Sequence, residues 1–358
     1  MRDILSDVDS WQRQGVAIAL ATVIQTWGSS PRNIGSKMAL TLDGRITGSV
    51  SGGCVENAVV EAGVESIKTK RPQLLHFGVA DESAWEVGLA CGGSIDIFVN
   101  PLDTEYFQSL HPTWANESQA VNVTVIHGSD EILGREMLIF ENGDVKGSIG
   151  NEWYDAVLKT GKETLAQGIS RRVMFNDTVE IFLEVILPPP TLIIVGGVHI
   201  AIPLTSLAKT LGYRTILVDP RQAWGNTERF PHVDKLIQAW PEEAFGQIKI
   251  NRSTAIIMLT HDPKLDDPAL KIALLSSAFY VGALGGKTTH AKRSKRLLND
   301  GMSESQLSCL HAPIGLDIGA QSPEEIALAI MAEVVTAHRK QNQLSAEKAA
   351  HAVSNPTR

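Results

Sequence analysis

The sequence predicts an α/β protein in two domains, an N-terminal α+β domain followed by a doubly wound parallel sheet. Three observations carry this. The chain has 358 residues, more than one hydrophobic core ordinarily serves. Its first half joins β-branched runs through tight two-residue turns, as antiparallel strands do. After Pro188-Pro-Pro190, a stiff extended break, the pattern becomes strand, helix, strand, the alternation of a parallel sheet. The expected division is 1–187, 191–338 and a polar tail over 339–358.

Val16 to Thr26 is rich in β-branched residues and reads as a buried strand. Met38 to Leu42 and Arg45 to Val50 flank Asp43-Gly44, a strong hairpin signal. Val55, Ala58, Val59 and Ala62 recur at helical spacing, so a helix begins near Cys54. Gln73 to Val79, Ser94 to Val99, Val121 to Ile126 and Met137 to Phe140 are further strands, the last turning at Asn142-Gly143. Trp153 to Gln167 reads as a helix, and Thr178 to Leu187 alternates like a half-buried strand. In the second domain Leu192 to Val195, Thr215 to Val218, Leu236 to Ala239, Ala255 to Leu259 and Phe279 to Ala283 are short apolar strands. Ser322-Pro-Glu-Glu325 opens a final helix with a Ser cap, Pro at the first position and Glu three residues after the cap. The polar stretch from about Arg339 is expected to fray.

Composition narrows the function. Apolar residues make up 43% and charged residues 20% of the chain, as in ordinary globular proteins. A formal charge of -8 argues against sequence-independent nucleic-acid binding. No apolar run reaches the ~20 residues of a membrane helix, and the first residues lack the basic-then-apolar order of a signal peptide. Three widely spaced cysteines make neither a disulfide framework nor a paired-cysteine zinc site. The expectation is a cytoplasmic protein with free thiols.

Two glycine loops carry the chemistry. One runs through Gly52, Gly53 and Cys54 into a helix; the other, Gly88-Leu-Ala-Cys-Gly-Gly93, presents Cys91 beside Gly92 and Gly93. Loop amides suit an anion, and a helix N-terminus favours a thiolate. Arg32, Lys37 and Arg45, near Gly28, Ser29, Ser30 and Gly35, point to phosphate or pterin contact. The site thus suits a ligand both anionic and thiol-seeking. Cys309, in a helical Leu307-Ser-Cys-Leu310 pattern, reads as packed.

In the second domain Gly196-Gly-Val-His-Ile-Ala201 matches the first and third positions of a dinucleotide loop but not the second, which is Val198. A Val side chain there would crowd the phosphate channel, so NAD(P) binding is expected to be weak, in the ~mM range. Asp219 stands where an acid would meet a ribose. His261, Asp262 and Asp266 either serve acid–base chemistry or a cation, or cap helices and order loops. Together with Tyr280-Val-Gly-Ala-Leu-Gly-Gly286 and the segment from His311, they should gather at the carboxyl edge of the sheet.

The first hundred residues resemble the xanthine dehydrogenase accessory factors of the XdhC/CoxI type, whose pattern runs S-x-P-R-x-x-G, then G-S-x-S-G-G-C-V-E, then C-G-G. Thr191 to about Thr336, with Pro313-Ile-Gly-Leu-Asp-Ile-Gly319, is similar to the same family. The resemblance implies an XdhC/CoxI-like domain and a Rossmann-like domain. It also implies molybdenum cofactor, as molybdopterin or its nucleotide form, with Cys91 contacting the metal and Cys54 the second choice. The candidate cofactor-binding set is Ser30, Arg32, Gly52, Gly53, Cys54, Cys91, Gly92, Gly93, Gly196, Gly197, His199, Asp219, His261 and Asp262. The implied role is a non-catalytic maturation chaperone serving an apo molybdenum hydroxylase, with a cysteine desulfurase as partner and a homodimeric state. Ala90 precedes Cys91 where family members tied to xanthine dehydrogenase often carry another cysteine, which leaves the client open. The competing class is an NAD(P)-dependent oxidoreductase using Gly196, Asp219 and His261.

Overall fold

A computed structural model of the chain describes residues 2–28, 32–78, 93–115 and 118–354. The chain divides into two compact units, Met1–Pro188 and Pro189–Arg358. The first unit opens with α1 (Arg2–Arg13), β1 (Ile18–Trp27), β2 (Lys37–Thr41), β3 (Ile46–Gly48), α2 (Glu56–Thr69), β4 (Gln73–Phe77) and β5 (Ser94–Pro101). The same succession then recurs as α3 (Thr104–Ala115), β6 (Ala120–His127), β7 (Glu136–Phe140), β8 (Val145–Gly147), α4 (Tyr154–Gln167), β9 (Arg171–Phe175) and β10 (Val179–Ile186). The two antiparallel sheets have matching orders, β3-β2-β1-β5-β4 and β8-β7-β6-β10-β9. The N-terminal unit is therefore an internal repeat, which reading the elements one at a time did not reveal.

Its sequence trace lies in the turns and in Gly63 and Gly161, which hold the same place in α2 and α4 against Leu40 and Ile139. Asp43-Gly44 matches Asn142-Gly143, and Gly48-Ser49-Val50 matches Gly147-Ser148-Ile149. Gly48 and Gly147 both sit at φ 78°. A Cβ there would lie 2.3 Å from the Lys37 carbonyl oxygen and 2.4 Å from that of Glu136 respectively, so each hairpin excludes any side chain at this point. Ile24, Phe98, Ile126 and Phe182, one from each of β1, β5, β6 and β10, form a buried cluster joining the repeats.

Polar residues stand beside that cluster. Thr22 faces Lys37 in register, and Thr124 faces Glu136. Lys37, only 3% exposed, donates to Thr22 Oγ1 at 2.9 Å and to Glu184 at 2.8 Å. Glu136 accepts from Asn122 and Thr124. Burial pushes the Glu136 carboxyl up to about 7, against the Asn122 bond and the charge of Lys37. The repeat has thus placed a cation in one half and a carboxyl at the matching position of the other.

The second unit comprises β11 (Thr191–Val195), α5 (Ala201–Thr210), β12 (Arg214–Val218), β13 (Lys235–Ile237), α6 (Pro241–Phe245), β14 (Thr254–Met258), α7 (Pro263–Leu274), β15 (Tyr280–Ala283), α8 (Lys287–Asn299), α9 (Glu304–Leu307), β16 (Leu310–His311) and α10 (Pro323–Ser354). Its strands lie parallel in the order β13-β12-β11-β14-β15-β16, the doubly wound, Rossmann-like arrangement. Alternate residues of β11 feed two cores, Ile193 and Val195 into one and Leu192 and Ile194 into the other, as expected of a sheet covered on both faces. Strand β16 escaped the sequence reading because it is two residues long. The Ser322 hydroxyl accepts the Glu325 N–H, and the Glu325 carboxylate accepts those of Gln321 and Ser322, the expected capping box. Helix α10 continues past Arg339 to Ser354, because Lys, Gln, Glu and Ala favour helix however polar they are. Among the described residues no helix is long and apolar enough to cross a membrane.

Candidate functional site

The glycine loop ahead of α2 is organised by a residue that the sequence reading left without a role. The N–H groups of Ser51, Gly52 and Gly53 donate to the Glu56 carboxylate at 3.0, 2.9 and 2.8 Å. The hydroxyls of Ser49 and Ser51 donate to it as well. Ser51 Oγ in turn accepts from the N–H groups of Cys54 and Val55, each at 3.0 Å. Burial works to raise the Glu56 pKa, but the bonds from Ser51, Ser49 and Gly53 bring it down to about 2. The anion at these amides is therefore the chain's own carboxylate, which corrects the expectation that Gly52 and Gly53 hold an external one. What the loop presents outward is Cys54, which is exposed. The signal for Glu56 was an acid at the first position of a helix that follows a Ser-Gly-Gly loop.

Other N-terminal candidates fare differently. Ser30, Cys91 and Gly92 lie outside the described residues, while Gly93 is buried just before β5 and Arg32 is exposed. Lys37 points between the sheets, where Glu184 and Thr22 take its ammonium; strand alternation turned it inward. The Arg45 guanidinium is held by Asp43 and Gln14 and stacks 5.5 Å from the Trp11 ring centroid, which corrects its reading as a phosphate contact. Cys309 is exposed rather than packed, because α9 ends at Leu307 and is too short to bury it. Among the described residues no three His, Cys, Asp or Glu side chains are grouped to hold a metal ion.

In the second unit the dinucleotide-type loop is closed by the chain itself. Asp219 is 0% exposed. One of its oxygens accepts the Gly197 N–H at 2.8 Å and Arg221 Nη2 at 2.7 Å; the other accepts the Arg221 N–H and Nε, both at 2.9 Å. Burial favours the neutral acid, but the Arg221 and Gly197 bonds keep the carboxyl below its usual range. Neither oxygen is open to a ribose, which corrects that expectation. A Cβ at Gly197 would lie 2.5 Å from the Trp224 carbonyl oxygen, so the Trp224 segment covers the loop. Arg229 Nη1 fastens this cover, donating to the carbonyls of Gly197 and Trp224 at 2.6 and 2.7 Å.

Val198 does not enter the phosphate channel. Its side chain packs against the core that contains Leu192, Ile194 and Leu204. Val198→Gly should therefore leave NAD(H) affinity unimproved and lower stability by about 1–2 kcal/mol through lost burial and backbone entropy. Calorimetry with NAD(H) on parent and variant checks this; tighter binding in the variant would restore the crowding explanation.

His199 and His261 are exposed. Asp262 caps α7, accepting the Lys264 N–H at 2.9 Å. Asp266 is buried between Thr260 Oγ1, at 2.5 Å, and Arg293 Nη2, at 3.1 Å; burial raises it to about 6 despite these partners. The Arg221 guanidinium is held charged chiefly by Asp219, with smaller support from Asp262 and Asp266. The acidic residues thus do gather at the carboxyl edge, where they serve as a cap and as ion-pair partners.

Two family models match the chain. One, described as the XdhC and CoxI family, matches residues 11–78, and the other, the XdhC Rossmann domain, matches 192–334. Together they span more than half of the chain. The protein belongs to the XdhC and CoxI family. The loop from Gly52 to Glu56 falls inside the first match, and the covered Gly196 loop inside the second. A protein of Bacillus subtilis named as a probable xanthine dehydrogenase subunit is 29% identical over 90% of this chain and 93% of its own length. PaoD of Escherichia coli, named a molybdenum cofactor insertion chaperone, is 26% identical over 92% of this chain and 86% of its own. A crystal structure of a xanthine dehydrogenase from Bacillus halodurans shares the fold, with a TM-score of 0.74 at 24% identity, covering 94% of this chain and 96% of that one.

Proposed function

We propose that this family member is a maturation chaperone that binds molybdenum cofactor in its N-terminal unit and delivers it to an apo molybdenum hydroxylase of the xanthine dehydrogenase class. The observation that supports this best is the exposed Cys54, fixed by Glu56 on a family-matched loop. The name of the E. coli relative is consistent with it. When bound, the cofactor supplies a molybdenum centre for which a soft thiolate is a suitable ligand. Cys91, which the family pattern favours, would be the first such ligand and Cys54 the second. The loop fits the metal end of the cofactor; it does not fit the phosphate end, because Glu56 already occupies its amides. Arg32, exposed on the preceding loop, is the remaining candidate for that end.

The protein would act in the cytoplasm, without a reaction of its own, beside a cysteine desulfurase. The oxidoreductase alternative loses support from the buried Asp219 and the covered Gly197. Protein co-produced with the cofactor pathway should carry molybdenum and a pterin by metal analysis and mass spectrometry; metal-free and pterin-free protein would contradict the proposal. A homodimer is expected, and light scattering that shows only monomer at micromolar concentration would exclude it.

A further inference from the structure

The carboxyl edge of the second unit has a second glycine loop, and this one is open. Leu284-Gly-Gly286 joins β15 to α8. Gly286 is the N-cap of α8 and provides no side chain to bond the first-turn N–H groups. A Cβ at Gly286 would meet nothing within 4 Å, and Gly286 and Lys287 are both exposed. Helices α2, α3, α4, α6, α7, α9 and α10 all carry an acid in the first turn, which suits the positive end of the helix dipole. Helix α8 carries Lys287 there instead, and its thirteen residues include five Lys and Arg and no acid.

A second, independent observation lies beneath the loop. Arg293 is 1% exposed. Its Nη2 donates to Asp266 and to the Leu284 carbonyl, but among the described residues its Nε and Nη1 have no hydrogen-bond partner, and neither does the buried His290 Nδ1. Nη1 lies against the loop, 3.8 Å from where a Cβ of Gly285 would stand. Buried guanidinium N–H groups without partners are costly. Here they leave unsatisfied Arg293 N–H donors beneath a loop whose first-turn amides no side chain caps.

We propose that Gly285, Gly286 and the first turn of α8 bind the phosphate group of a phosphate ester, with Lys287 beside it and the fixed charge of Arg293 beneath. First-turn N–H groups and the dipole would hold the oxygens, and Lys287 would add a charge-assisted bond. The site stands apart from the cofactor role proposed for the N-terminal unit. It is also distinct from the Gly196 loop, which Trp224 covers. A nucleotide and a phosphorylated pterin share the recognised chemistry.

The test is calorimetry on the full chain with pyrophosphate and with ADP. The parent should bind both saturably. Gly286→Asp places a carboxylate on the same amides, as Glu56 does in the N-terminal unit. It should weaken binding at least about tenfold without lowering the melting temperature, since Asp is a good N-cap. Lys287→Ala, at an exposed position, should weaken binding about tenfold by itself, and Cys54→Ser should leave it unchanged. ADP binding tighter than pyrophosphate would assign a nucleotide, and equal affinities would assign the phosphate group alone. No binding by the parent, or undiminished binding by Gly286→Asp and Lys287→Ala, would overturn the proposal.

Discussion

Lys37→Ala should destabilise the N-terminal unit by about 3–5 kcal/mol, because it strands Glu184 between two sheets without its cation. Lys37 is buried and spends its ammonium on Thr22 and Glu184. The pair links β2 of the first repeat to β10 of the second, so its loss is felt where the halves meet. Removing both charges is a different experiment. Lys37→Met combined with Glu184→Leu leaves no uncompensated ion and should recover most of the loss. Urea unfolding of the single and the double variant beside the parent checks this. A single-variant loss below about 1 kcal/mol, the size of an exposed pair, would mean that water reaches the ions.

Glu56→Gln should release the Cys54 loop. The carboxylate serves three N–H and two O–H donors; a Gln amide has a single acceptor oxygen and turns an NH2 group toward donors. Exchange of the Gly52 and Gly53 amide hydrogens should quicken at least about tenfold, as expected for losing hydrogen bonds to a charged acceptor. The pH dependence has a definite sign. The folded pKa of about 2 lies below the ordinary 4.5, so the stabilisation is present above 4.5 and is lost as pH falls through about 2. In the parent, protection of Gly52 and Gly53 should therefore survive at pH 4. Equal protection in parent and variant would show that the loop holds its shape without Glu56.

Local signals in the sequence were legible wherever a residue's neighbours in the chain decide its state. Asp43-Gly44, Asn142-Gly143 and the capping box at Ser322 each specify their own turn or cap, and the short apolar strands of the second unit predict its parallel sheet. Side-chain fate depended on residues farther away. Lys37 looked like a surface cation beside a glycine loop, but its partner Glu184 is 147 positions away. Asp219 has the right spacing for a ribose, yet Arg221 and the Gly197 N–H consume it. Val198 occupies the expected place in the loop, but the core takes its side chain. The internal repeat stayed hidden because its halves share glycines and turn residues, while the positions between the sheets diverged to Lys37 in one and Glu136 in the other.

In the proposed function a thiol of the N-terminal unit holds molybdenum cofactor. The most direct measurement is the molybdenum and pterin content of full-length protein co-produced with the cofactor pathway, compared across Cys91→Ser, Cys54→Ser and Cys309→Ser. Cys309 is the suitable control because it is exposed, like Cys54, but lies in the other unit. Cys91→Ser should lose most of the bound cofactor, Cys54→Ser should lose part, and Cys309→Ser should retain the parent level; equal retention in all three would contradict a thiol-held cofactor.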